Sequence, residues 1–151
     1  MSKTLLAVWL CCVALGAAAQ DCRREVRDGW IRLVPGGMPM HAGFGRIENG
    51  CKAPVAIVAA SSSAYDRVEL HRSTLENGVS RMRAVPELRI AAGKAAVLKP
   101  GGLHLMLMRP ESELAPGDRV KVSFELADGG RLDGEFEVRG PRPGGNSKPG
   151  M

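Results

Sequence analysis

Three histidines, His41, His71 and His104, together with the methionines, are the residues of this 151-residue chain best suited to chemistry. Two of the histidines stand in a spaced pattern with methionine. His71 is followed by ten residues and Met82, then by twenty-one residues and His104, then by one residue and Met106. Thioether sulfur is a soft ligand that selects Cu(I) over hard cations, and imidazole accepts copper in either common oxidation state. Thioethers need no deprotonation, so only the imidazoles have to be neutral for binding. Four neutral donors suit the closed, near-tetrahedral preference of a filled d-shell ion and leave no open position for a substrate. The pattern therefore predicts a Cu(I) site made by His71, Met82, His104 and Met106 that stores the ion or hands it over. Singly, a methionine most often packs a core and a histidine is most often a satisfied polar residue. The joint spacing carries the prediction.

The elements that must position these donors are strands. Residues 103–109 (LHLMLMR) alternate strictly, which puts Leu103, Leu105 and Leu107 on a core face and His104, Met106 and Met108 together on the other. Met108 is expected to shield the site rather than complete it. His71 ends the run VELH, Met82 lies in VSRMRAV, and the Asn77-Gly78 turn between them can bring the two near each other. Arg72, Arg81 and Arg83 flank two of the donors and are expected at the site rim, where they would meet an acidic partner. Met38, Met40 and His41 form a second soft cluster, a secondary metal candidate whose ordinary alternative is strand-entry packing.

Further apolar or alternating runs appear at 26–34, 42–48, 54–61, 66–72, 79–83, 95–98, 119–126 and 131–138. Turn signals such as Pro35-Gly36-Gly37, Pro100-Gly101-Gly102 and Asp128-Gly129-Gly130 separate them. Short strands at this spacing predict a single all-β sandwich or barrel. No long segment has a 3.6-residue period, and Ser61–Asp66 has room for one helical turn at most. Lys3, the apolar run Leu5–Leu15 and the small residues Ala17-Ala18-Ala19 form a secretory signal peptide over 1–19, too short to span a bilayer. Neither Cys11, after Leu10, nor Cys22, after Asp21, has the small preceding residue of a lipid-anchored cysteine. The domain is expected over 20–139, with a Gly- and Pro-rich disordered tail over 140–151. An exported, soluble, periplasmic monomer follows, with no stable membrane insertion.

Cleavage leaves two cysteines, Cys22 and Cys51, which an oxidising compartment favours as a disulfide over a thiolate metal site. The net charge of +5 comes from scattered arginines with few aromatics, not from the clustered basic face that nucleic acid requires.

The spacing His71-x10-Met82-x21-His104-x-Met106 resembles the ligand motif of the periplasmic copper chaperone family written PCu(A)C. So do Gly29-Trp30-Ile31-Arg32, the run Met38 to Phe44, Val68-Glu69-Leu70-His71, Met82-Arg83-Ala84-Val85 and the run Leu98 to Met108. The resemblance covers Trp30 to Arg109. It implies a cupredoxin-like Greek-key β-sandwich or barrel with a surface Cu(I) site. It also implies periplasmic delivery of copper to an accepting protein: the copper subunit of cytochrome c oxidase with its dinuclear centre, or another copper chaperone. The Cys22/Cys51 pair departs from the family pattern, and the tail lacks the His- and Met-rich character tied to Cu(II) binding.

Other functions fit less well. General copper storage or tolerance would use the same site. A cupredoxin-like electron carrier needs a His₂Cys trigonal site, and no cysteine stands near His104. An enzyme could use His71 and His104 as acid or base, but there is no nucleophile motif and no task for two thioethers. A sandwich assembly module without metal would bind no Cu(I).

Overall fold

The computed structural model describes residues 22–36 and 38–141. The expected signal peptide and all of the expected tail beyond Pro141 lie outside the described residues. Ten strands follow in order: β1 (Arg24–Arg32), β2 (Met40–Asn49), β3 (Val55–Ser62), β4 (Tyr65–Glu76), β5 (Val79–Ala84), β6 (Leu88–Ile90), β7 (Ala95–Leu98), β8 (Leu103–Pro110), β9 (Arg119–Leu126) and β10 (Arg131–Arg139). Among the described residues there is no helix, and none long and apolar enough to cross a membrane.

Hydrogen-bonded neighbours run β4-β8-β2-β1-β10-β9-β3, and β3 pairs back onto β4, so seven strands close a barrel. Only β1 and β10 are parallel within that ring. Most spatial neighbours are distant in sequence, as in Greek-key rather than up-and-down connectivity. Alternation fills the interior. Leu105, Leu107, Val122, Phe124, Phe136, Val138 and Ile31 are essentially inaccessible, and their strand neighbours face outward.

Two departures from regular strands shape the site. A bulge between Arg27 and Trp30 on β1, with Asp28 at φ 53°, reverses the inside–outside parity of the strand. Val26 before it and Ile31 after it both pack on the core, so Trp30 and Arg32 point outward. The second departure is β4, which outlasts its barrel neighbours. Its N-terminal half pairs with β3, while His71–Glu76 pairs with β5. The connecting Asn77 and Gly78 have φ of 52° and 78°, the two left-handed positions of a tight hairpin turn. The hairpin therefore projects beyond the barrel, and every residue of β5 is exposed.

The structure differs from the sequence reading in places. The run expected to end at 72 continues to Glu76, because its outer half is held by hairpin pairing rather than by apolar burial. The three-residue β6 carries too little pattern to be read. The Ser61–Asp66 stretch is a strand-to-strand turn. Cys22 and Cys51 form the expected disulfide, with Cα atoms 4.6 Å apart. Beside it lies buried Asn49. Its amide donates to the carbonyls of Ala53, Ile90 and Ala91, and its carbonyl oxygen accepts from the Cys51 N–H.

Candidate metal centre

The four spaced donors lie on adjacent strands β5, β4 and β8, on one outward face. His71 on β4 is directly opposite His104 on β8, and their ring centroids are 6.2 Å apart. Met106 follows His104 by two residues and so shares its face, opposite Glu69 of β4 and Ala42 of β2. Met82 pairs with Ser73, two residues beyond His71 on the same face of the hairpin. Met82, His104 and Met106 line one small cleft of about 130 Å³, together with Arg32, Ala42, Phe44 and Ser73.

Hydrogen bonds set both imidazoles. The Nδ1–H of His104 can donate only to the Gly102 carbonyl, 2.9 Å away, which leaves Nε2 as the lone-pair nitrogen of the neutral ring. The Nε2–H of His71 donates to Glu69 Oε2 at 2.9 Å, leaving the lone pair on Nδ1. That Nδ1 is buried and, among the described residues, has no hydrogen-bond partner. An unpaired buried polar atom costs about 1–3 kcal/mol, so this nitrogen is free to accept a bond from outside the protein. A carboxylate or carbonyl on the far nitrogen is the usual arrangement behind a metal-ligating histidine.

Exposure grades across the site. His104 is 5% exposed and Met82 52%. Phe44 walls the buried side, its ring 6.5 Å from His104 and 4.6 Å from Trp30. The Arg32 guanidinium stacks 5.2 Å over Phe44. Among the described residues no three His, Cys, Asp or Glu side chains converge on a metal-sized site. The disulfide consumes both described thiols and leaves no thiolate for a blue-copper site.

The secondary cluster is split by the same alternation. His41 faces inward opposite Leu107, while Met40 faces outward opposite Met108. His41 is buried and its Nδ1 lies 2.9 Å from the Tyr65 hydroxyl. Burial pushes the His41 imidazole below its usual range and the Tyr65 phenol above its own. Met38 and His41 do line a common cleft with Leu33, Pro39 and Arg109. The arginines also depart from the expected rim. Arg72 pairs with Arg83, and Arg81 with Thr74, on the hairpin face opposite Met82, and Arg81 is ion-paired with Glu76 at 3.0 Å.

Glu69, the Gly102 carbonyl, Phe44 and Arg32 were not singled out from sequence. Glu69 was within reach of it, since a residue two before His71 on a strand shares its face. Phe44 and Arg32 come from β2 and β1, and only the barrel register brings them here.

The class this architecture defines is a small all-β barrel with a soft-donor cleft on its outer face. The chain belongs to the family described as "Putative lipoprotein LpqE-like", which matches residues 25–138. It is 34% identical over 135 residues to "Putative lipoprotein Lxx21020" of Leifsonia xyli subsp. xyli, covering 85% of this chain and 80% of that protein. Among solved structures it is similar to CuI-DR1885 from Deinococcus radiodurans, at 28% identity and a TM-score of 0.64, over 83% of this chain and 85% of that one. It also superposes on the copper-bound PCuAC domain from PmoF2 with a TM-score of 0.63 at 15% identity, over 77% and 92% of the two chains. The fold is thus an all-β barrel of the PCuAC type, as the sequence resemblance implied.

Proposed function

We propose that this chain is an exported Cu(I) metallochaperone. It holds the ion between His71, Met82, His104 and Met106 and passes it to a copper-accepting protein. The acceptor that the sequence resemblance points to is the dinuclear copper centre of cytochrome c oxidase. The observation that carries this reading is the opposed histidine pair. Each ring is fixed from behind, by Glu69 or the Gly102 carbonyl, and the buried Nδ1 of His71 has no partner among the described residues. The similar Deinococcus radiodurans structure is of a Cu(I) form, which supports the choice of ion. An oxidising, periplasmic setting agrees with the Cys22–Cys51 bond, and thioethers remain usable there where a free thiolate would be oxidised. The donor set is closed, which favours carrying over catalysis.

The test is an anaerobic Cu(I) competition titration of the mature protein against a chromophoric chelator. One tight Cu(I) per chain is expected. His104→Ala and Met82→Ala should each weaken it at least tenfold, about 1.4 kcal/mol. No stoichiometric binding by the wild type, or variants that match it, would overturn the reading.

A further inference from the structure

The outward face of β8 continues past the four donors. Met108 lies two residues beyond Met106, about 7 Å along the strand. Directly across from it on β2 is Met40, and paired residues on one face hold their Cβ atoms about 4.5–5.5 Å apart. Both are part-buried, yet neither belongs to the hydrophobic core nor packs against it. Across β8 the neighbours are charged: Arg67 opposite Met108 and Glu69 opposite Met106, ion-paired to each other at 3.7 Å. The barrel interior under this stretch is already filled by Leu105 and Leu107. These two facing thioethers lie outside the barrel core and are partly open to solvent.

We propose that Met40 and Met108 form a second, weaker Cu(I) station on the same sheet face as the four-donor site. The inference rests on reading those four donors as a Cu(I) site and extends it. Two neutral soft donors suffice to select Cu(I), and their binding is independent of pH because neither titrates. Met106 lies between the two positions on β8 and its flexible thioether can serve either. An ion on the station therefore passes to His104 and His71 by exchanging one sulfur at a time, with no change of oxidation state and no release to solvent. Placing this station on Met40 and Met108 also moves the secondary candidate off His41, whose ring faces the barrel interior.

The experiment is a two-stage anaerobic titration of the full mature chain, with the methionine methyl groups carbon-13 labelled. The first equivalent of Cu(I) should move the Met82 and Met106 methyl signals. The second should bind at least tenfold more weakly and move those of Met40 and Met108. The double variant Met40→Leu/Met108→Leu keeps side-chain volume. It should retain the first equivalent unchanged and lose the second. Uptake that stops at one equivalent, or a second equivalent that survives in the double variant, would overturn the station and leave the four-donor reading standing. A single equivalent that moves only Met40 and Met108 would sink the four-donor reading instead.

Discussion

His71 and His104 face each other across the β4–β8 pairing with ring centroids 6.2 Å apart, and each is held from behind by an acceptor two residues away in its own strand or turn. For His71 that acceptor is Glu69, at 2.9 Å. The carboxylate fixes which nitrogen carries the proton and orients the ring. Glu69→Ala should therefore weaken Cu(I) binding roughly 10- to 100-fold without unfolding the barrel, since Glu69 faces outward. Glu69→Gln keeps an acceptor but loses the charge, and should fall between wild type and Glu69→Ala. A chelator competition series with circular dichroism on each variant checks this. Glu69→Ala binding as tightly as wild type would show that the contact is incidental.

How much of this was legible in the sequence depends on the range of the interaction. The strict alternation of Leu103 to Arg109 was enough to place His104 and Met106 on one outer face, because a two-residue period is a local property. The Asn77-Gly78 turn fixed the hairpin that carries Met82 for the same reason. The position of Arg32 was not readable. It depends on a bulge at Asp28 and on β1 pairing with β2, a register set by the closed barrel. Arg81 and Arg83 lie away from the expected rim because they are neighbours of Met82 on β5, and neighbours on a strand point to opposite faces. The same alternation separates His41 from Met40.

The Cys22–Cys51 bond closes a loop with a sequence separation of 29 residues and anchors the start of β1 next to buried Asn49. Chain-entropy reasoning puts its contribution at about 2–4 kcal/mol. Reduction, or a Cys22→Ser/Cys51→Ser variant, should lower the urea midpoint accordingly. Binding of the first, tight Cu(I) should be unchanged, because the bond lies past the end of β2 that is remote from Ala42 and Phe44. Urea titrations paired with the copper titration test both halves. Loss of copper binding in a variant that is still folded would mean that the disulfide positions the site.

The buried His41–Tyr65 pair makes stability depend on acidity. Desolvation lowers the His41 imidazole, so the folded state holds it neutral where the unfolded chain would protonate it. Below the unfolded value, about pH 6.5, the unfolded state binds the extra proton and stability falls as pH falls. The loss continues until the folded-state value is passed. The double variant His41→Leu/Tyr65→Phe removes the titrating group and its partner together, so no hydroxyl is left unpaired in the core. Its unfolding free energy should vary less than that of wild type between pH 7 and 5, as read from urea curves at fixed ionic strength. Copper binding at pH 7 should be unaffected, because His41 faces the barrel interior and the four donors face out. An equally steep acid slope in the double variant would assign the effect to other groups and remove His41 from the account.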